Sequence, residues 1–585
     1  MPSQTKPHWR AQVRRYQSRG ANKMFANRFS PTATTALAMV AVLATGLTAC
    51  SDGNGDLPAD KQLPSTEVPA TTLKALSGLA KITSVDQRYQ SFNIEMVEIT
   101  GGRFWAPYDA EAQQPEISDA KAPDVGVAGD GTVLGLDAKK VFRYRAPLDL
   151  TNPRLRELAG ALAPAYMRVS GSWANSTYFH ASDEPAPTEP PAGYAGILTL
   201  AQWQEVLNFS KSLDLDILLS FAISDGTRDV HGVWRPEQAR ALFDATAAAG
   251  GKIAAVEFMN ETTMGRMQGL PADYSAEDYA RDFQRFKTLV GEISPDTIIA
   301  GPSAVGENSS FGSKFLDNPI TTEDIYKFTG PTVDAMSYHY YGGLSLRCAR
   351  SVGLPLPQVS QALAPKWLAG TSDAADFYGE LRDRLEPDKP LWLTETAETA
   401  CGGNPWASTF VDSFRYVDQL GRLAVRSVQT VMHNTLVASD YAMIDEDTLE
   451  PRPNYWAALL WRRLMAPVVL DAGEPSNPYT YVYAHCLRGT PGGVAVVALN
   501  THREATSQLV VADIAQRYTL SAEGSLETQT ILLNGEPLML DDGAGLPELA
   551  GKSVETDSIE LEPASITFLS APTAGNAACG ALAES

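Results

Sequence analysis

The stretch IAAVEFMNET, Ile253 to Thr262, is a short apolar run with β-branched residues that ends on two polar side chains, Asn260 and Glu261. Its composition predicts a buried strand. A buried strand has no structural use for a carboxylate at its tip, whereas a strand that delivers an acid to the mouth of a barrel does. PLWLTE, Pro390 to Glu395, repeats the design: an apolar strand that ends on a carboxylate. Glu261 and Glu395 lie 134 positions apart and meet only if the fold brings two strand ends to one rim.

Outward from these two strands the chain alternates helix and strand. Ser91 to Val97, Tyr166 to Ser170, Asp214 to Ile223, the run to Glu261, Thr297 to Ala300, Asp334 to Tyr341, the run to Glu395 and Val425 to His433 read as eight strands. Most are followed by a helical pattern, such as Leu200 to Leu213 or Ala276 to Ile293. That order predicts an α/β fold, a (β/α)8 TIM barrel, with Glu261 ending the fourth strand and Glu395 the seventh. After about Ala466 the period changes to two, and turn signals such as Asn534-Gly535 separate short strands, which predicts a C-terminal β-sandwich domain. The expected division is 1–49 signal peptide, 50–80 tether and edge segment, 81–465 barrel and 466–585 sandwich.

The N-terminus has the order of a secretory signal: Arg10 to Arg28 carry basic residues, Ala33 to Leu47 is apolar, and Leu47-Thr48-Ala49-Cys50 closes it. Small residues directly before a cysteine look like a bacterial lipobox, which makes Cys50 the expected lipidation site; an ordinary signal peptide or membrane anchor is the alternative. Met24 is a plausible true start. The expected location is therefore the cell envelope, as an outer-membrane or periplasmic lipoprotein held to the membrane by its lipid. Loss of residues 1–49 removes seven basic and no acidic side chains, leaving 40 basic against 69 acidic and a net charge of −29. Such a surface repels nucleic acid and other polyanions unless a basic cleft offsets it. The remaining cysteines, Cys348, Cys401, Cys486 and Cys579, form no close CxxC pair, so a zinc site is not expected. No metal or other cofactor is called for.

Two carboxylates facing each other across a cleft can cleave an acetal: one, protonated, donates to the leaving oxygen while the other attacks the anomeric carbon. The acid needs a raised pKa, which burial and a like-charged neighbour supply. Glu257 and Glu398 are the competing carboxylates. Glu257 shares strand parity with Glu261, so both could face inward, and Glu398 lies beyond its strand end.

Several motifs together resemble the heparanase and β-glucuronidase family of retaining glycoside hydrolases, family 79. They are LTNPRLRELAGALAPAYMRVSGSWANSTYF from Leu150, VEFMNE to Glu261, VDAMSYHYYGG from Val333, LWLTETAETACGG from Leu391 and MIDEDTLEPRPNYWAALLWRRL from Met443. YVYAHC at Cys486 and the closing AAC at Cys579 resemble its sandwich. The resemblance implies Glu261 as acid/base and Glu395 as nucleophile. It further implies Asn260 on the sugar's 2-hydroxyl, Tyr340 as the sixth-strand aromatic bonded to the nucleophile, Glu95 on sugar hydroxyls and Tyr441 lining the sugar subsite. It implies a Cys486–Cys579 disulfide. A second disulfide, Cys348–Cys401, is expected because these residues follow the sixth and seventh strands on neighbouring loops of the catalytic face.

The departures matter. Thr262 stands where the family has proline, and Tyr338-His339 where it has paired histidines. In the family a tyrosine followed by glycines cradles the uronic carboxylate; here the run is Ala400-Cys401-Gly402-Gly403, with the glycines and without the tyrosine. The one dense basic run, Lys139 to Arg145, alternates like a solvated strand face, and no second cluster completes a basic cleft. The expected protein is thus a retaining β-glycosidase, most like a β-glucuronidase. The alternatives are a same-fold enzyme acting on a neutral sugar and a surface glycan-binding lipoprotein with a silent barrel.

Overall fold

In the computed structural model, eight parallel strands close into one barrel: Gln90–Glu95, Ala165–Ser170, Leu215–Ser220, Ala255–Glu257, Ile298–Val305, Ala335–Tyr341, Leu391–Ala397 and Val428–His433, which are barrel strands 1 to 8. Closure is by strand 8 on strand 1, with Val431 opposite Gln90 and His433 opposite Phe92. The structure describes residues 68–580 except 109–131, 134–135, 272, 310–311, 313–319, 475 and 542–544. The signal segment 1–49, Cys50 and the tether up to residue 67 lie outside the described residues.

Helices follow the strands and shield them. The helix Ala276–Ile293 starts with a capping box between Ser275 and Asp278, which satisfies two end donors reciprocally. It buries Tyr279, Phe283, Phe286 and Val290, a stripe at three- to four-residue spacing that packs against the outside of the barrel.

The sandwich is built from both ends of the chain. A nine-stranded sheet includes Lys81–Ser84 next to Met465–Leu470, and a three-stranded sheet pairs Thr71–Thr72 with Ser507–Val510. Lys81–Ser84, counted with the barrel in the expected division, therefore lies in the sandwich sheet, and Thr71–Thr72 of the expected edge segment is a strand. The physical reason is that sheet edges need backbone partners, and a short N-terminal segment supplies them whatever its sequence distance. The run Val494–Asn500 serves two cores, as period-two side chains must: Val494, Val496 and Ala498 face Leu73, Leu509 and Leu561. Ala495, Val497 and Leu499 join the core that contains the barrel. Leu420 and Trp461, from the helices Phe410–Val425 and Pro453–Leu464, belong to that same core, so the sandwich and barrel share one apolar seam.

Candidate active site

The fourth strand is shorter than its sequence suggests. Its ladder stops at Glu257, and Phe258 to Asn260 leave the sheet before Glu261 turns with φ = 48°. That left-handed backbone is costly for a residue with a Cβ, so it persists only where neighbours hold it. Asn175 provides the hold: its Oδ1 accepts from the Asn260 N–H at 2.9 Å and its Nδ2 donates to the Asn260 carbonyl at 3.1 Å. On the other side the Thr262 hydroxyl donates to the Pro302 carbonyl at 2.8 Å and Thr263 donates to the Val305 carbonyl at 3.0 Å. The threonine that replaces the family proline thus ties the turn to strand 5.

The turn carries Glu261 over the rim towards Glu395 of strand 7. One oxygen from each carboxylate and a ring nitrogen of His339 lie within 4.8 Å of one another. Glu261 is 9% exposed and Glu395 5%. Burial first, and then the neighbouring Glu395 charge, push the Glu261 carboxyl well above the usual carboxylate range. Glu395 sits between donors instead: Arg168 Nη1 reaches Oε2 at 2.8 Å and the Tyr341 hydroxyl reaches Oε1 at 2.5 Å. Two carboxyl groups in one cleft are thereby given different environments.

Arg168 is the centre of this arrangement and was not singled out by the sequence motifs. It is fully buried on strand 2. Besides Glu395, its Nε donates to Glu257 Oε2 at 2.9 Å, and Nη2 donates to Asn260 Oδ1 at 2.8 Å and contacts His339 Nε2 at 3.2 Å. Glu257 does face inward, and it anchors the guanidinium. The only signal available beforehand was a lone arginine inside the apolar strand AYMRVS, since a buried cation requires buried anions.

Tyr340 corrects an expectation. The hydroxyl on Glu395 belongs to Tyr341. Tyr340 points the other way: its hydroxyl lies 2.4 Å from where a side chain on Gly370 would begin, against the helix Pro365–Leu385. Alternation explains it, because His339 and Tyr341 share the inner face while Tyr338, stacked on Tyr378, shares the outer face with Tyr340.

Glu95 and Tyr441 border the same cluster. Asn434 Nδ2 lies 3.2 Å from Glu95 Oε1, from the Tyr341 hydroxyl and from the Tyr441 hydroxyl. Burial, and then Glu395, raise the Glu95 carboxyl well above its ordinary value. Gly171 permits this packing, since a Cβ there would sit 1.4 Å from Glu95 Oε2. Gly402 and Gly403 have φ of 78° and 85°, and a Cβ at Gly402 would strike Trp105 at 2.4 Å. Their loop is held by Glu398, which accepts from the Thr399 and Asn404 backbone N–H groups. It is also held by a Cys348–Cys401 disulfide; Cys486 and Cys579 are bonded in the sandwich.

In the basic run Lys139 to Arg145, Lys139, Lys140 and Tyr144 are exposed as a solvated face requires, but the two arginines are engaged. Arg143 and Arg145 both pair with Glu446, and Arg143 also with Asp447 at 3.0 Å. Together they wall a cavity of about 1750 Å³ whose lining also includes Asp440, Trp456 and Met539 but neither Glu261 nor Glu395. Arg452 of the same lining pairs with Asp445 at 3.0 Å, so three of its arginines are matched by acids.

Residues 145–421 match the glycosyl hydrolase family 79, N-terminal domain. The chain is 26% identical to heparanase from Mus musculus over 554 residues, covering 81% of this chain and 98% of that protein. It is 24% identical to baicalin-beta-D-glucuronidase from Scutellaria baicalensis, covering 73% and 84%. Its fold is similar to that of a 4-O-alpha-L-rhamnosyl-beta-D-glucuronidase from Fusarium oxysporum, with a TM-score of 0.55 at 13% identity over 85% of this chain and 99% of that one. With a closed (β/α)8 barrel and a sandwich behind it, the chain carries a family 79 N-terminal domain over residues 145–421 and is similar over most of its length to heparanase-like glycoside hydrolases.

Proposed function

We propose that the protein is a retaining β-glycosidase that cleaves a β-linked uronic acid glycoside by double displacement. Glu261 is its acid/base and Glu395 its nucleophile. The observation that carries this is the approach of the two carboxyl groups, with oxygens within 4.8 Å across one cleft. Separations near 5 Å suit direct attack, whereas inverting enzymes need about 6.5–9.5 Å to admit a water. In the first step Glu261 gives its proton to the glycosidic oxygen, that C–O bond breaks, and a Glu395 oxygen bonds the anomeric carbon. In the second step Glu261, now a carboxylate, takes a proton from water as the water oxygen displaces Glu395. Asn260, whose Oδ1 is committed to Arg168, is oriented to meet the 2-hydroxyl. Glu95, Tyr441, Gly402 and Gly403 form the rest of the sugar subsite.

The glucuronidase named among the relatives supports a uronic substrate. Ala400-Cys401 in place of the family tyrosine favours the second reading, a neutral sugar in the same site. The acid-paired arginines argue against a sulfated polymer as substrate. The small residues before Cys50 support export and lipid attachment, which metabolic labelling with a tagged fatty acid tests against a Cys50→Ser variant.

The deciding experiment is a panel of aryl glycosides that differ only in the sugar, with product anomer followed by NMR. Retention, and loss of turnover in both Glu261→Gln and Glu395→Gln, is the expected result. Glu261→Gln should regain activity on substrates with good leaving groups, which need no acid. Inversion, or full activity in either variant, would overturn the assignment. Glycan binding without any turnover would instead favour a surface binding protein.

A further inference from the structure

We propose that His339 is a positioning residue that fixes where the acid proton of Glu261 resides: its Nδ1–H donates to Glu261 Oε1, which leaves the transferable proton on Oε2. This rests on Glu261 being the acid/base.

The tautomer follows from donors and acceptors. Arginine has five N–H donors and no acceptor. Arg168 Nη2 stands 3.2 Å from His339 Nε2, so Nε2 must be the unprotonated nitrogen and Nδ1 carries the hydrogen. Nδ1 lies 3.3 Å from Glu261 Oε1 and 3.7 Å from Glu395 Oε2. A second proton on the ring would face the guanidinium, and burial together with Arg168 holds the imidazole well below its ordinary pKa, hence neutral. In this form Nδ1 has no lone pair for a cation, so the Glu261–His339–Glu395 group is a proton device rather than a metal site.

The arrangement suits both halves of the reaction. In the free enzyme a carboxylic acid that accepts at Oε1 keeps its hydrogen on Oε2. After the proton has gone to the leaving oxygen, Glu261 is a buried carboxylate, and the same Nδ1–H becomes a charge-assisted donor to it, of the stronger class. His339 thus favours the ionised Glu261 that must accept a proton from water when the glycosyl–enzyme breaks down. Among the described residues, the groups around Glu261 include Glu257 on strand 4, Arg168 on strand 2, Tyr341 on strand 6, Glu395 on strand 7 and Tyr441 beyond strand 8, all present with or without the imidazole.

Two substitutions separate this role from simple packing. An asparagine amide nitrogen can stand near the place of Nδ1, and a glutamine amide nitrogen near that of Nε2. His339→Gln should lose the donor to Glu261. The alkaline limb of kcat/KM on a poor-leaving-group glycoside then rises by about one pH unit, and kcat on a good-leaving-group glycoside falls about tenfold, the effect of about one hydrogen bond to a charge. His339→Asn should restore most of both. Equal losses in the two variants, or an alkaline limb that moves in neither, would overturn the proposal. Neutron diffraction from the unaltered enzyme in heavy water reads the same point without a variant: deuterium on Nδ1 supports it and deuterium on Nε2 sinks it. If the unaltered enzyme hydrolyses no glycoside, the proposed function fails, and the neutron map still decides the tautomer.

Discussion

Arg168 offers the sharpest test of how the site is held together. Its guanidinium makes charge-assisted bonds to Glu257 and Glu395 at 2.9 and 2.8 Å and a bond to Asn260 at 2.8 Å, all at a fully buried position. Removing one partner of a buried ion pair typically costs about 3–5 kcal/mol, because the remaining charge is stranded. Arg168→Gln strands two buried carboxylates and should lower the melting temperature accordingly. Its charge also lowers the Glu261 carboxyl against burial and Glu395. Without it, the ionisation of Glu261 needs higher pH, and the alkaline limb of kcat/KM against pH moves up. Arg168→Lys keeps the charge but offers one nitrogen where the fork offered three. It should therefore retain most of the thermal stability and the position of the bell while losing about 10²-fold in kcat/KM, roughly the two charge-assisted bonds it cannot make at about 1.5 kcal/mol each. The assay is a pH–rate profile on an aryl glycoside beside thermal melting of all three proteins. A glutamine variant that melts with the parent and keeps its pH limbs would refute the view of Arg168 as the counter-charge of the site.

Other outcomes follow from single contacts. Tyr341→Phe removes a hydroxyl from Glu395 and should lower kcat/KM by about tenfold or more, the worth of a bond to a charged group, whereas Tyr340→Phe on the outer face should stay within about threefold; the reverse ranking would contradict the inward placement of Tyr341. Gly171→Ala places a Cβ against Glu95 at a φ of +85°, so it should displace Glu95, strain the turn by about 1–3 kcal/mol and raise KM for the sugar; unchanged kinetics would separate Glu95 from the subsite. Burial, and then Asp412, push Glu398 up to about 8. Its folded pKa exceeds its unfolded value, so its contribution to stability is present below about pH 4.5 and is lost as pH rises through about 8. Glu398→Gln should flatten that part of the melting profile, and an unaltered pH slope would argue against it.

Much of this architecture was legible beforehand because period and polarity are local properties. Apolar runs that end on Glu261 and Glu395, and eight helix–strand repeats, fixed the barrel and which strands carry the acids. Strand parity also marked Glu257 as inward. Missing was whatever depends on atoms from distant strands. Arg168 looked like one arginine among many until Glu257, Asn260, His339 and Glu395 converged on it from strands 4, 6 and 7. The Tyr340–Tyr341 choice turned on which side of strand 6 faces Glu395, and matching by motif slipped it by one residue. The two N-terminal strands of the sandwich were weak in sequence because their stability comes from edges hundreds of positions away. Side-chain pattern along the chain determines elements and their order; hydrogen-bond partners across the barrel are set only when the strands close, since a guanidinium or a carboxylate is satisfied by whatever the fold brings within 3 Å of it.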